Sequence, residues 1–491
     1  MSIDNISAVE IGGQIASGKL TSVEVTQHFI SRIESRNADL GIYVHVDAEQ
    51  SLQRAAQVDR DIAAGKLRGT LAGVPVAIKD VLCTSSMPTT CGSRMLGEFK
   101  PPYTATCIDR ALDAGMVPLG KTNMDEFAMG ASTETSCHGV TRNPWDRQRT
   151  AGGSSGGAAA CLAGGMAPLS IGSDTGGSVR QPAAMCGVLG LKPTYGRVSR
   201  YGLVAFASSL DQVGPLAHHV EDLAASMEVI SGHDPRDSTS LKETVPAYRG
   251  ALGADIKGLK IGIVREHVEH PSLDGEIAAG VERARKALEE LGATVSEVHL
   301  PHTKYSVPTY YLVAPSEASG NLSRYDGVHY GYRGAADPES SLGQLDAMIA
   351  ASRSQGFGAE VKRRIMLGTF ALSSGYYDAY YKKALKVRRL IADDYKTAFE
   401  QVDLLLGPVT PTPAFKLGEK VNDPVKMYLE DLFTVGANLA GLPGLSVPSG
   451  ESGGLPIAVQ LQAPVLEEGR LLNVAYRLQQ SEFFAPQLAP V

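Results

Sequence analysis

Two segments rich in glycine and serine carry most of the side chains that could do chemistry in this chain. The first reads AGGSSGGAAA (residues 151–160) and the second reads GSDTGGSVR (residues 172–180). Together they offer several hydroxyl groups, one carboxylate and many glycines. Segments of this kind can bind a phosphate, present a nucleophile or form simple turns, and the three possibilities need different neighbours.

Neither segment has the pattern of a phosphate-binding loop. A P-loop ends in a lysine followed by serine or threonine, and no lysine follows either segment. A dinucleotide site needs G-x-G-x-x-G between a strand and a helix, with an acidic residue about 20 positions later. Neither segment has that order, so the sequence argues against nucleotide binding here.

Two hydrolase patterns match only in part. GGSSG at 152–156 fits the G-x-S-x-G nucleophile elbow, but polar sequence precedes it where a buried strand is required. None of the eleven histidines is singled out as a partner for that serine. Asp174-Thr175-Gly176 fits the D-T-G of aspartic proteases, whose chemistry needs a second carboxylate, and the chain has no second D-[ST]-G.

A lysine is the remaining candidate for a base. A serine hydroxyl is a poor nucleophile near neutral pH and needs a neighbouring group to take its proton. Burial can lower the pKa of a lysine far enough for that role. Lys79 ends the apolar stretch GVPVAIK, and active sites of open α/β sheets gather at such strand ends. The alternative for an isolated lysine is a side chain that projects into solvent.

The elements that must position these residues alternate between strand and helix. Val74, Val76 and Ile78 predict a strand that ends at Lys79-Asp80, and Thr21 and Glu24 have the spacing of a helix capping box. Small residues at 158–162 predict a helix buried against a sheet. Further strands and helices are predicted within 258–267, 274–300, 402–414, 455–464 and 467–484.

This alternation predicts an α/β fold with a central mixed β-sheet covered by helices on both faces. We expect an N-terminal helical segment, residues 1–60, packed on a single large domain. That catalytic domain would span residues 61–491, with insertions around 230–345. The region 334–352 is expected to be a surface loop.

Composition narrows the class of protein further. The chain has 491 residues and a net charge of −7, which argues against a broad nucleic-acid-binding surface. Its six cysteines form no C-x-x-C pair, so we expect buried, reduced thiols and no metal site. The uncharged stretch between Arg149 and Asp174 consists mostly of small residues and predicts a packed interior, not a membrane span. The first residues lack a signal-peptide pattern, so we expect a cytoplasmic protein.

Three segments resemble the amidase signature family. They are GVPVAIKD (73–80), RNPWDRQRTAGGSSGGAAA (142–160) and GSDTGGSVRQPAAMCGVLGLKPTYGRVSR (172–200). The resemblance implies acyl transfer by a Ser–Ser–Lys triad. Ser178 would be the nucleophile, Ser154 would relay its proton from a position next to a cis peptide bond, and Lys79 would be the base.

The resemblance also implies a role for the glycines of the second segment. Successive backbone N–H groups at Thr175, Gly176, Gly177 and Ser178 can point at one oxygen and form an oxyanion hole. Asp174 and Arg180 are then expected to hold the loop by hydrogen bonds and not to react.

Further segments are similar to one branch of the family, the glutaminase subunits of tRNA-dependent amidotransferases, and the likeness covers nearly the whole chain. The similarity implies that Arg364 binds the α-carboxylate of glutamine, that Asp431 binds its α-ammonium, and that Tyr310 lies near the substrate. Arg363 and Tyr311 are adjacent to these residues, so the sequence does not decide which arginine and which tyrosine face the substrate. The loop Met129-Gly130-Ala131-Ser132 is a further candidate for the pocket wall. The similar segments are 123–136, 310–333, 360–391 and 438–450.

The same resemblance implies partners and excludes a cofactor in this chain. Ammonia released from glutamine would pass to a heterotrimeric complex with amidotransferase B and C subunits. The B subunit would use ATP and Mg to convert Glu-tRNA(Gln) to Gln-tRNA(Gln), and whether Asp-tRNA(Asn) is also a substrate stays open. Two alternatives remain: a stand-alone amidase for a small amide, and a non-catalytic scaffold. The intact Lys79, Ser154 and Ser178 argue against the scaffold.

Overall fold

A mixed sheet of eleven strands forms the centre of the computed structural model, which describes residue 3 and residues 6–490. Its strand order is β1-β3-β2-β6-β8-β7-β12-β13-β11-β9-β10, and β4 and β5 form a separate pair. The strands are β1 Tyr43–Val46, β2 Pro75–Lys79, β3 Val117–Thr122, β4 Arg142–Asn143, β5 Asp146–Thr150, β6 Leu169–Asp174, β7 Leu189–Lys192, β8 Gln212–Ala217, β9 Lys260–Val264, β10 Thr294–Val298, β11 Leu404–Pro408, β12 Gly444–Ser452 and β13 Leu455–Gln462.

Helices flank this sheet, as the alternating pattern predicts. Sixteen α-helices lie within the described residues: α1 Ala8–Ala16, α2 Ser22–Leu40, α3 Ala48–Ala63, α4 Thr106–Asp113, α5 Gly156–Ala163, α6 Arg180–Cys186, α7 Val220–Ile230, α8 Arg265–Val268, α9 Gly275–Glu290, α10 Ser306–Asn321, α11 Gln344–Gly356, α12 Ala359–Leu372, α13 Lys383–Phe399, α14 Pro424–Tyr428, α15 Val435–Leu439 and α16 Glu468–Gln480. The predicted α/β fold with a mixed sheet is confirmed.

Strand direction decides where the functional side chains meet. Strand β2 pairs in parallel with both β3 and β6, whereas β6 pairs antiparallel with β8. Every residue of β2 and of β6 is buried, which explains their apolar and small side chains. Because β2 and β6 are parallel neighbours, their carboxyl ends, Lys79 and Asp174, lie at the same edge of the sheet.

Local sequence signals account for the elements that were predicted. Helix α2 begins after Thr21, whose hydroxyl accepts the Glu24 N–H while the Glu24 carboxylate accepts the Thr21 N–H. This reciprocal pair satisfies N–H groups that a helix start otherwise leaves open. All residues of α5 are buried. The helix consists of Gly, Ala, Cys and one Leu, and these mostly small side chains let it pack close to the sheet.

Three expectations need amendment. The first sixty residues are not only helical, because β1 pairs antiparallel with β3 at the edge of the main sheet. The region 230–345 supplies β9 and β10 to that sheet. The surface loop expected at 334–352 is wrong in its second part: α11 begins at Gln344 and buries Ala347 and Met348.

Most of the cysteines are buried, as expected. Five of the six cysteines are buried, but Cys137 is exposed, so the expectation of buried thiols is wrong there. Among the helices of the described residues, none is both long enough and apolar enough to cross a membrane.

Candidate active site

The three predicted catalytic residues lie on three separate connections at one edge of the sheet. Lys79 is the last residue of β2, Ser154 lies between β5 and α5, and Ser178 lies between β6 and α6. The Nζ atom of Lys79 is 2.7 Å from the Ser154 Oγ atom, and the Gly153–Ser154 peptide bond is cis. The Ser155 N–H donates to the Ser178 carbonyl oxygen at 3.2 Å, which joins the two serine-rich loops.

Lys79 lies in an environment that suits a base. Its side chain is fully buried, and its Nζ atom also contacts the hydroxyl groups of Ser155 at 2.8 Å and Ser173 at 2.9 Å. Burial lowers the pKa of Lys79 to about 7, although the carboxylates of Asp125 and Asp174 act in the opposite direction. A large share of the amine is therefore neutral near physiological pH and able to accept a proton.

Ser178 has the accessibility that a nucleophile needs. It is 7% exposed, while Ser154 and Lys79 are inaccessible. Within residues 6–490 its hydroxyl has no hydrogen-bond partner, Ser154 included, so a hydrogen bond joins Lys79 to Ser154 but none joins Ser154 to Ser178.

Asp174 and Arg180 form a buried ion pair that fixes the loop between them. The Arg180 Nε atom is 3.1 Å from Asp174 Oδ2, and both side chains are inaccessible. Asn438 joins the pair, since its amide donates to Asp174 at 2.8 Å and its oxygen accepts from Arg180 at 2.6 Å. Burial alone would raise the pKa of Asp174, but Arg180 holds it down at about 2. The carboxylate thus stays ionised and structural, as expected.

Three of the four N–H groups predicted to form an oxyanion hole remain open in the structure. The Gly177 N–H donates to Asp174 Oδ1 at 2.9 Å, so it is already satisfied and does not face a substrate oxygen. The N–H groups of Thr175, Gly176 and Ser178 have no acceptor among the described residues. Gly177 itself has a φ of +139°, and a Cβ atom there would lie 2.3 Å from Thr434 Oγ1. Its requirement for glycine is therefore conformational and steric.

Gln181 connects the Ser154 loop to the predicted pocket wall, a contact that sequence reasoning missed. Its side-chain oxygen accepts the Gly153 N–H at 2.9 Å, and its amide donates to the Ala131 carbonyl at 2.9 Å. Asp125 supports the same wall by accepting the N–H groups of Ser132 and Thr133. No regular spacing in the sequence connects these residues, so only the fold could reveal them.

A cavity of about 240 Å³ lies on the other side of this wall. Gly130, Ala131 and Ser132 line it together with both Arg363 and Arg364, whereas Met129 is buried outside the lining. The side chain of Arg364 is 3% exposed and that of its neighbour Arg363 is 46% exposed. Both arginines therefore reach the cavity, Arg364 from within the fold and Arg363 with a side chain that is partly in solvent.

Arg364 is held by its Nε atom and by three aromatic rings. Nε donates to Glu360 Oε1 at 2.8 Å. The guanidinium lies 5.1 Å from the ring centre of Tyr311, 5.3 Å from that of Tyr428 and 5.5 Å from that of Phe206. Its two terminal nitrogens have no hydrogen-bond partner in the described part of the chain. A planar fork with both terminal groups open suits a carboxylate ligand.

Asp431, Tyr310 and Tyr311 connect Arg364 to residues 175–178, the predicted oxyanion loop. The Tyr311 hydroxyl donates to Asp431 Oδ2 at 2.9 Å. Burial raises the pKa of Asp431 to about 7, against the lowering effect of the Tyr311 hydroxyl and of Arg364. The Thr434 hydroxyl contacts the carbonyl oxygens of both Asp431 and Gly176. Tyr310 packs on Gly176, where an added Cβ atom would lie 2.7 Å from the ring.

The chain belongs to the amidase family, whose sequence model, described as Amidase, matches residues 24–472. Within that family it is similar to the A subunits of glutamyl-tRNA(Gln) amidotransferase from two bacteria. It is 58% identical to the protein of Rhodopirellula baltica over 489 residues, which cover 99% of this chain and 98% of the relative. It is 56% identical to that of Carboxydothermus hydrogenoformans over 484 residues, which cover 99% of both chains.

Solved structures give the same family and show its breadth. The crystal structure of the glutamyl-tRNA(Gln) amidotransferase A subunit from Thermotoga maritima superimposes with a TM-score of 0.81 at 38% identity, covering 99% of each chain. The structure of 6-aminohexanoate cyclic dimer hydrolase superimposes with a TM-score of 0.84 at 26% identity, also over 99% of each chain. The fold is thus shared by enzymes whose names describe different substrates.

Proposed function

We propose that this chain is the glutamine-hydrolysing subunit of a tRNA-dependent amidotransferase. The observation that carries the proposal is that Tyr311 connects the open Arg364 fork, which lies on its ring, to the buried Asp431 carboxylate, which accepts its hydroxyl proton. Free glutamine is a zwitterion, and a selective pocket needs one cation and one anion for it. The identity of 58% and 56% to two proteins of that name supports the same substrate.

The proposed reaction begins with attack of the Ser178 hydroxyl on the side-chain amide carbon of glutamine. As the C–O bond forms, the Ser178 proton moves to Ser154 and the Ser154 proton moves to the neutral Lys79 amine. The N–H groups of Thr175, Gly176 and Ser178 stabilise the negative oxygen of the tetrahedral intermediate. The relay then returns a proton to the nitrogen, the C–N bond breaks, and ammonia leaves a glutamyl ester on Ser178.

The same groups complete the cycle with water. Water attacks the ester carbon while its proton passes through Ser154 to Lys79, and the relay returns a proton to Ser178 as the ester bond breaks. Glutamate is released with its α-carboxylate on Arg364 and its α-ammonium on Asp431. No cofactor takes part in this half of the reaction.

Ammonia then serves the second half-reaction in partner subunits. We assign ATP- and Mg-dependent activation of Glu-tRNA(Gln) to a B subunit and assembly of the heterotrimer to a C subunit, in the cytoplasm. The names of the similar proteins describe them as subunits, which supports an assembly of this kind. Asp-tRNA(Asn) is a second acceptor that the same ammonia supply would serve.

The direct test is glutaminase activity of the purified chain, alone and with the B and C subunits, ATP and Glu-tRNA(Gln). We expect ammonia release that appears or rises sharply when the partners and the acylated tRNA are present, together with Gln-tRNA(Gln). Full activity of the isolated chain on unrelated amides, with no glutamine preference, would instead support a stand-alone amidase. The likeness to 6-aminohexanoate cyclic dimer hydrolase makes that the second candidate.

Replacing Arg364 with methionine tests the cation of the pocket. A charge-assisted hydrogen bond contributes about 1.5–3 kcal/mol, so we expect KM for glutamine to rise roughly 10- to 100-fold. Steady-state glutaminase kinetics measure this change. Arg363→Met is the matched control for loss of a charge at the same cavity, since Arg363 also lines it and pairs with Glu360 but is largely exposed, and it should raise KM less than Arg364→Met. Equal effects of both substitutions would contradict the assignment of Arg364.

The protonation of Asp431 predicts a pH dependence of glutamine binding. The ionised carboxylate attracts the α-ammonium, and the pKa of Asp431 in the free protein is raised to about 7 by burial. KM should therefore rise as pH falls below about 7 and level off above it. Asp431→Asn should raise KM at pH 8 and remove this rise at low pH. Persistence of the same KM profile in the variant would show that another group titrates.

A further inference from the structure

The hydrogen bonds around Lys79 can be assigned atom by atom. A neutral amine has two N–H groups and one lone pair, and only the lone pair can take a proton. Lys79 Nζ has four polar neighbours: the hydroxyls of Ser154, Ser155 and Ser173 at 2.7, 2.8 and 2.9 Å, and the Ser173 carbonyl at 3.4 Å. Which neighbour faces the lone pair decides whether the amine can serve as a base for Ser154.

Ser155 has its own proton committed elsewhere. Its hydroxyl donates to the Ser173 carbonyl oxygen at 3.0 Å, and both groups are buried. With that proton occupied, the Ser155 oxygen can only accept, from Lys79 at 2.8 Å and from the more distant Ser173 N–H at 3.4 Å. One of the two amine N–H groups is thereby directed at Ser155.

Ser173 provides for the second N–H group. Its hydroxyl oxygen and its carbonyl oxygen both lie within reach of Nζ, so two acceptors are available on that side. With both N–H groups directed at Ser155 and Ser173, the lone pair points to the remaining neighbour, Ser154. The Ser154 hydroxyl has no other hydrogen-bond partner in the described residues, so its proton is free to move to Lys79.

We propose that Ser155 is a positioning residue for the lysine base, because its hydroxyl fixes one amine N–H and so aims the lone pair at Ser154. The inference rests on the proposed function, in which Lys79 accepts the Ser154 proton. When Lys79 becomes an ammonium, its third N–H simply donates to Ser154, and the other two hydrogen bonds stay in place. The proton therefore moves without rearrangement of the site.

Ser155→Ala, studied in the complex with its partner subunits, tests this role. We expect kcat for glutamine hydrolysis to fall roughly 10- to 100-fold with KM within about twofold, since no contact with glutamine is lost. The ammonium form loses an acceptor, so the rise of kcat with pH should move to lower pH. Slower turnover combined with that shift is a result that mere local damage to the fold would not give.

Three companion variants make the result interpretable. Ser170→Ala removes another buried serine hydroxyl, which donates to the Ala158 carbonyl at 2.7 Å and does not contact Lys79. It should keep the wild-type pH profile. Ser173→Ala leaves the carbonyl acceptor in place and should reduce kcat less than Ser155→Ala. Ser155→Thr keeps a hydroxyl and should recover most of the lost kcat.

The outcomes separate this inference from the function on which it rests. Absence of glutamine hydrolysis by the wild-type complex would reject the proposed function itself. An active wild-type complex in which Ser155→Ala keeps its kcat, or loses it with the pH profile unmoved, would overturn only the role of Ser155. If Ser155→Ala does not fold, Ser173→Ala provides the test. Ser155 still fixes one amine N–H in that variant, so a loss of kcat larger than about 100-fold would overturn the role of Ser155.

Discussion

Ser178→Ala is expected to reduce glutamine hydrolysis roughly 10⁴- to 10⁶-fold, the effect that removal of a serine nucleophile has in hydrolases. The substitution deletes the oxygen that forms the ester, and no second hydroxyl stands at the end of the oxyanion loop. Ammonia release measures the rate, and mass spectrometry after acid quenching measures the glutamyl ester. The wild-type chain should carry the ester and the variant should not.

A measurement of glutamine binding distinguishes loss of the nucleophile from damage to the glutamine pocket. Arg364 and Asp431 do not contact Ser178 directly, so glutamine should bind to Ser178→Ala with a dissociation constant close to that of the wild-type protein. Calorimetric titration measures this constant. A glutamyl adduct that persists on another residue of the variant would show that Ser178 is not the nucleophile.

The triad could be proposed from the sequence because each member lies in a contiguous segment that resembles the amidase signature family. Lys79 ends a buried strand, and Ser154 and Ser178 lie in glycine-rich connections that lead into α5 and α6. Parallel pairing of β2 with β6 then brings the connections together. Strand patterns and glycine positions are local properties, so they can be read without knowledge of the fold.

Contacts between distant segments could not be predicted in this way. Gln181 touches Gly153 and Ala131, and Asn438 touches the Asp174–Arg180 pair across 264 positions of the chain. A single polar side chain has no periodic pattern, and its partner depends on how whole elements pack. These residues therefore look like ordinary loop and helix residues until the fold is known.

The sequence also could not decide which of two adjacent residues faces the interior. Adjacent arginines at 363 and 364 differ by about 100° around a helix, so one can be buried while the other is solvated. Sequence similarity named the pair, and the structure shows that Arg364 is the one packed on Tyr311 and Tyr428. In the same way, a run of four N–H groups suggested a four-donor oxyanion hole, and the Asp174 carboxylate removes Gly177 from it.

Replacing Lys79 with methionine should lower kcat roughly 10²- to 10⁴-fold, the usual contribution of a general base. The neutral amine is the active form and burial places the pKa of Lys79 at about 7, so wild-type kcat should rise with pH through about 7 and then level off. Lys79→Met should be slow at every pH and should lack this rise. The pH dependence of kcat, taken at saturating glutamine, separates it from the Asp431 effect on KM.

Lys192 is the matched control for this prediction, because it is a second buried lysine whose pKa burial also lowers to about 7. Its Nζ atom donates to the Pro193 carbonyl oxygen and contacts none of the three serines around Lys79. Lys192→Met should therefore keep the rise of kcat around pH 7. If Lys192→Met lost that rise while Lys79→Met retained it, the base would have to be sought at the end of β7. The two variants thus distinguish a lysine that takes the serine proton from a buried lysine with a similar pKa that only balances charge.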